Sequence, residues 1–418
     1  MENNQIVNLN NLDVAYSSKS DKELNKAHLL FLLMNNQGLT NVGTFFIKLL
    51  FEFKFPIKKV IKNTMFSHFC GGETMQECDS TINLLHKYKV GTILDFSVES
   101  GGSEEAYHDN MLEILATIKK AADQPEIPFC VFKASALTNV NLLEKIQRFP
   151  KTVTDDEWRS FEFFKTRFQT LCREAYLAGV RIMVDAEESW IQTVVDDFTY
   201  QMMALYNQQK PIVYITYQMY RHDRLDELKK AYQEAKNNHY KLGVKLVRGA
   251  YLEKEIDYAA DNMIPKAIHK TKADTDKAYN DALHFIMKHI NVIAICAGTH
   301  NEESSLLVTA LMKEFEIKNN HPHVYFAQLL GMSDNISFNL SNLGYNTAKY
   351  VPYGPVESVM PYLMRRAKEN SAIAGQTSRE LSMIKAELKR RKEAGAKVIP
   401  LSTKNILTGN NNDFLYAQ

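Results

Sequence analysis

Two adjacent arginines stand in the run PYLMRRAKEN at 361–370. On a helix, Tyr362, Arg365, Arg366 and Glu369 fall at offsets of 0, +3, +4 and +7 and so share one face. Neighbouring guanidiniums repel each other unless an anion lies between them, and arginine grips a carboxylate or phosphate in a planar fork. The run therefore reads as an anion clamp. The plainer reading is an exposed helix with one Glu369 ion pair, worth about 0.3 kcal/mol. A second run, KLVRGAYLEKE at 245–255, sets Lys245 and Arg248 three apart, so on a strand they point opposite ways. One faces a barrel interior, and the other faces the surroundings or a phosphate. Gly249 and Ala250 remove side-chain bulk where a flat ligand must approach the backbone. In VDAEESW at 184–190, Asp185 and Glu187 share a strand face. They read as an acid–base couple, a metal pair or partners for Lys133. Metal is the weakest of these, because His300, His321 and His323 show no HExxH-type spacing. AGTHNEES at 297–304 is a small-residue turn and helix start, whose amides either hold an anion or cap the helix.

The elements that must position these residues form a rhythm from residue 90. Short apolar runs at 90–97, 128–135, 180–187, 211–218, 242–249, 292–298, 324–330 and 348–354 predict strands. Helical periodicity is clearest at 155–179, 225–239 and 272–290. Strands that are apolar throughout are buried on both faces, as parallel sheets require. Eight of them alternating with helices predict a closed (β/α)8 barrel. A doubly wound sheet is the alternative, but no GxGxxG follows the first strand. The barrel predicts function at the C-terminal strand ends, and the polar residues gather there. Lys133, Asp185, Glu187, Gln218, Lys245, Arg248, Tyr251, Thr299, His300, Asn301, Gln328, Tyr350 and Tyr353 all lie in or just after strands.

The chain has 418 residues, with 50 Lys plus Arg against 49 Asp plus Glu, which gives no electrostatic footprint for nucleic acid. Five scattered cysteines without a CxxC suit a reducing compartment. No signal sequence, transit peptide or run of about 20 apolar residues is apparent, so a cytoplasmic location is expected. Residues 1–88 read as a helical arm or cap, with patterns at 23–35, 42–54 and 73–87; 89–380 read as the barrel and 381–418 as a C-terminal helix and tail. The aromatic–lysine stretch at 44–62 suits a helix packed on the barrel or, less well, a membrane-surface helix. KRRKEAGAK at 389–397 reads as a solvated helix face. Glu99, Glu104 and Glu105 are placed to pair with Arg366 and gate a pocket.

The ordered set VFKASAL, MVDAEESW, TYQMY, KLVRGAYLEKE, GTHN, FAQLLGM and YVPYGPVESVMPYLMRRAKEN resembles the proline dehydrogenases from about residue 90 to 372. The resemblance implies a (β/α)8 barrel with an N-terminal helical arm and a helix over the C-terminal face, holding FAD noncovalently. It implies oxidation of L-proline to Δ1-pyrroline-5-carboxylate, the first step of proline degradation, with electrons passed to a membrane quinone and hence peripheral contact with the inner membrane. Arg365, Arg366 and Lys133 would take the proline carboxylate, and Tyr350, Tyr362 and Leu329 would wall its ring. Val184, Asp185, Ala186, Gln218, Lys245, Val247, Arg248, Gly249, Ala250, Tyr251 and Glu369 would line the flavin, with Asp185 and Lys245 counted as catalytic. Thr299 and His300 would meet its ribityl–phosphate side, and Lys272 and Thr275 its adenosine end. No metal is implied. Ile215 stands where many bacterial members carry Gln, and Lys245 where many carry Arg. Tyr350 favours proline over hydroxyproline, whose oxidising relatives carry a smaller residue there.

Two rival readings use the same residues. A Schiff-base lyase would take Lys133 or Lys245 as nucleophile, but leaves the arginine pair without a task unless the substrate is an anion. A non-catalytic scaffold would use the stretch at 44–62.

Overall fold

In the computed structural model, the described residues are 7–34, 58–98, 102–372 and 376–395. Eight parallel strands close in chain order: β1 (Val90–Phe96), β2 (Phe129–Lys133), β3 (Arg181–Asp185), β4 (Val213–Gln218), β5 (Leu242–Val247), β6 (Ile293–Gly298), β7 (Val324–Leu329) and β8 (Thr347–Tyr353). Closure is made by β1 against β8, in register from Val90↔Thr347 to Phe96↔Tyr353. The apolar runs become strands because both faces are covered. One face meets the helical ring and the other a central core of Ile93, Phe129, Val131, Met183 and Tyr214. The eight strands lie where the apolar runs predict them, with ends differing by at most two residues. The helices Asp155–Ala178, Arg224–Asn237 and Lys272–Lys288 occupy the three clearest periodic stretches. The first opens on a capping box of Thr154 and Glu157 and stops at Gly179, whose φ of 68° favours a residue without Cβ.

Helix Val356–Ala372 follows β8. It packs through Val356, Val359, Tyr362 and Leu363 on Ile61, Phe66 and Phe69 of the preceding arm. In the arm, Lys62 is tied to Glu73 at 2.6 Å and Lys58 to Glu357 at 3.2 Å. Helix Asp79–Lys87 packs Ile82 and Leu85 into the outer barrel core. The expected helix at 42–54, Glu99, residues 396–397 and the Glu369 side chain lie outside the described residues.

Of the described part of the run expected as a solvated helix face, Lys389, Arg390 and residues 392–395 are exposed, and Arg391 alone is buried. Helix Gln376–Glu393 packs Leu381 and Ile384 on Leu24, Ala27 and Phe31 of helix Asp21–Met34. The Arg391 side chain, 5% exposed, reaches back to the arm. It donates to the carbonyls of Tyr16 and Lys19 and to Asp21, each at 2.9 Å, and to the buried Glu387 at 2.6 Å. The planar fork of a guanidinium suits the free carbonyls at a helix end. Glu104 also departs from its expected role: it pairs with Arg167 at 2.5 Å, while Glu105 is exposed. Among the described residues, no helix is long and apolar enough to cross a membrane.

Candidate active site

Asp185 ends β3 at the C-terminal mouth of the barrel. Its Oδ1 accepts from Lys245 Nζ at 2.5 Å, and its Oδ2 accepts from the Tyr350 hydroxyl at 2.7 Å. The Lys245 ammonium also lies 4.6 Å from the centre of the Tyr350 ring. Lys133, ending β2, stands 3.8 Å from Asp185 Oδ2 and binds both oxygens of Asp95 at 3.0 and 3.2 Å. Two lysines and two aspartates thus share one dry mouth in balanced charge, which keeps each buried ion from standing alone. Burial works against the Asp185 charge, but Lys245 and then Lys133 outweigh it and hold the carboxyl below its usual range. Burial likewise opposes the Lys133 charge, and Asp95 and Asp185 overcome it. Burial and then Asp185 keep Tyr350 a phenol, so it donates.

Asp95 escaped the sequence reading, although its signal matches that of Asp185: a lone carboxylate at the end of an apolar strand. The Lys133 charge acts on the carboxyls of Asp185 and Glu187 alike, but Glu187 makes no hydrogen bond to Asp185. Its two oxygens take the backbone N–H and the hydroxyl of Ser135 beyond β2. Burial, followed by Glu188, pushes the Glu187 carboxyl up to about 7. Among the described residues, no cluster of His, Cys, Asp and Glu could hold a metal ion.

The loops beyond β5 and β6 bring the expected cofactor residues together. Arg248 donates to Asp276 at 2.6 Å, to the Thr299 hydroxyl at 2.8 Å and to Ser304 at 3.0 Å, and lies over the Tyr279 ring. Lys272 shares Asp276 at 2.6 Å, and Thr275 lies one turn along the same helix. Asn301 caps that part of the mouth by accepting from Ser304 N at 2.7 Å. Gln218 has both ends of its amide engaged: it donates to the Glu187 carbonyl at 2.7 Å and accepts from Ala250 N at 3.0 Å. It ties the β3 loop to the β5 loop. Gly249 has φ 140°, and a Cβ there would lie 2.4 Å from the Tyr220 ring. The bulk excluded at 249 is therefore that of Tyr220. His300 sets Nδ1 2.9 Å from the Ser333 hydroxyl, and burial pushes its imidazole down to about 3, so it is neutral.

Helix Val356–Ala372 covers this mouth. The charge of Arg365 acts on the Tyr251 phenol and that of Arg366 on His300. Arg366, 8% exposed, lies over the Tyr362 ring at 5.2 Å. Leu329 pairs with Tyr350 across β7 and β8 and packs against the cluster that holds Tyr362. Of the predicted wall residues, Tyr350 is bonded to Asp185, and Leu329 packs against both the Tyr350 cluster and that of Tyr362. Val184 and Ala186 are buried beside Asp185, while Val247 and Gly298 end their otherwise buried strands half-exposed. These partly exposed strand ends lie beside the cations Lys245 and Arg248, and the residues present fit a flat ring carrying phosphates, as in a flavin dinucleotide.

A parallel (β/α)8 barrel with charged groups gathered at its C-terminal mouth has the architecture of a barrel enzyme. The family model for proline dehydrogenase matches residues 78–379, and the chain belongs to that family. Proline dehydrogenase 1, mitochondrial, of Dictyostelium discoideum is 32% identical over 93% of this chain and 76% of its own length. The carbapenem antibiotics biosynthesis protein CarD of Pectobacterium carotovorum subsp. carotovorum is 33% identical over 79% of this chain and 85% of its own. Among solved structures, proline utilization A from Bdellovibrio bacteriovorus superposes with a TM-score of 0.68 at 20% identity. That match covers 96% of this chain but 43% of the other, and it shows the shared fold.

Proposed function

We propose that this enzyme oxidises L-proline to Δ1-pyrroline-5-carboxylate with FAD as its cofactor, and that a quinone takes the electrons away. The observation that supports the reading is the Lys133–Asp185–Lys245 group with Tyr350 bonded to it, together with the charges of Arg365 and Arg366 that reach Tyr251 and His300 from the helix after β8. Proline is a small ring whose strongest handle is its carboxylate. Two guanidiniums and the Lys133 ammonium grip that handle and fix where C5 lies, and positioning of this kind supplies much of a rate.

Val184, Asp185, Ala186, Lys245, Val247–Tyr251, Thr299 and His300 would hold FAD, with Arg248, Lys272 and Thr275 toward its phosphate and adenosine parts. Bound there, the flavin supplies the hydride acceptor. The substrate loses a hydride from C5 and a proton from nitrogen, which leaves the C=N bond of the product. Asp185 holds Lys245 aligned, and its bond to Tyr350 holds the ring wall upright. That wall fills the space a ring hydroxyl would need, which favours proline over hydroxyproline. Imine chemistry at lysine requires an uncharged amine, whereas Lys133 is held charged by Asp95 and Lys245 is bonded to Asp185. A bilayer quinone implies peripheral contact with a membrane.

The test is an anaerobic titration of the purified flavoprotein with L-proline. Bleaching of the flavin absorption bands, reversed by a soluble quinone, is the expected result. Protein that binds no flavin, or bands that persist at saturating proline, would refute the assignment.

A further inference from the structure

The C-terminal helix reaches the loop beyond β7 through Glu380. Glu380 belongs to helix Gln376–Glu393 and is 3% exposed. Its Oε1 accepts from the backbone N–H of Ser333, in the loop between β7 and helix Asp334–Asn342. Ser333 is not a glycine, yet its φ of 50° lies in the left-handed region, a conformation that persists only when its surroundings hold it. The hydroxyl of the same residue meets His300 Nδ1 at 2.9 Å. The rest of the loop is held from the opposite side. Lys349 on β8 donates to the Met332 carbonyl at 2.5 Å and to Asp334 at 2.8 Å, and Lys19 of the arm shares Asp334 at 3.1 Å. Charged groups from the arm, β8 and the C-terminal helix therefore converge on one strained turn that ends on a mouth imidazole. The family match stops at residue 379, one position short of Glu380.

We propose that Glu380 is a positioning residue for His300: by holding the Ser333 backbone it keeps the Ser333 hydroxyl on the imidazole and so fixes the ring at the cofactor mouth. This rests on the reading above that His300 meets the flavin. The neutral imidazole has one N–H to place, and its Nδ1 bond to the Ser333 hydroxyl, which can run in either sense, holds the ring in one setting and so one tautomer at a time. The buried Glu380 carboxyl accepts from the Ser333 N–H through Oε1, and removing that acceptor takes this bond from the N–H and so releases the turn. Glutamine keeps an acceptor oxygen at the same reach, whereas alanine does not.

The experiment compares Glu380→Ala, Glu380→Gln, Ser333→Ala and Leu381→Ala. Leu381 lies one residue along and packs on the arm, so its truncation loosens the same helix without touching Ser333. His300 is followed by nitrogen-15 NMR of histidine-labelled apoprotein, and FAD affinity is measured on the same samples. A single His300 tautomer is expected in wild type and Glu380→Gln, and an averaged one in Glu380→Ala and Ser333→Ala. FAD affinity should fall roughly tenfold in both alanine variants, the order lost with one buried hydrogen bond, and no further when they are combined. An unmoved His300 signal in Glu380→Ala overturns the proposal. So does Leu381→Ala if it moves that signal equally. A moved signal with unchanged FAD affinity upholds the positioning and refutes the flavin contact of His300.

Discussion

Lys245 on β5 and Asp185 on β3 meet across the barrel mouth, Nζ to Oδ1 at 2.5 Å, although β4 separates their strands. The other oxygen of the same carboxylate takes the Tyr350 hydroxyl from β8. One anion therefore orients a cation from one side of the mouth and a ring from the other.

Asp185→Asn keeps an acceptor for Tyr350 but strips the charge from between two ammoniums. A buried ion that loses its partner costs about 3–5 kcal/mol. Unfolding stability in denaturant is expected to fall by about 3 kcal/mol, with part recovered when Lys245→Met is added. A single variant as stable as wild type would show that Lys245 finds compensation elsewhere.

Arg365→Met removes one arm of the clamp while preserving the length of the side chain. The expected loss in kcat/KM for proline is on the order of 3 kcal/mol, the scale set by breaking a desolvated charge pair. Steady-state kinetics decide it, and near-wild-type values would take Arg365 out of the site.

Glu187 gives a pH signature. Its ordinary value of 4.5 is raised to about 7, chiefly by burial. Between these limits the folded chain holds a proton that the unfolded chain has lost, so stability falls as pH rises through the window. Below it both states are protonated, and above it the cost is constant. Buried His68, pushed down from 6.5 to about 4, acts with the opposite sign: stability rises with pH across its own window. Glu187→Gln deletes only the first contribution. Stability of the variant minus that of wild type should grow by about 1.4 kcal/mol per pH unit between roughly pH 5 and 6.5. Denaturant midpoints across that range measure it, and a flat difference would place the Glu187 carboxyl in the ordinary range.

The strands were legible because a parallel barrel demands apolar residues on both faces, and the runs ending in Lys133, Asp185 and Gln218 advertise the change from core to mouth. Which charges pair was not legible. Asp95 meets Lys133 only once β1 and β2 lie side by side, and nothing local in VGTILDFS specifies that contact. Gln218 shows the same limit: its place at a strand end suggested a ligand, while the barrel uses its amide to join two loops. The tail repeats that limit: in a run of exposed lysines and arginines, nothing local marks Arg391 as the one that turns inward, because its acceptors, the Tyr16 and Lys19 carbonyls, lie at the far end of the chain.

That last contact sets an order on synthesis. Arg391 and Tyr16 are 375 residues apart, and the apolar side of the arm, Leu24, Ala27 and Phe31, is covered by the segment around Leu381 and Ile384. At about 5–20 residues per second on a ribosome, the arm waits roughly 20–75 seconds for its cover. During that interval a nascent chain displays a sticky stripe, and chaperone capture before release is the natural protection for it.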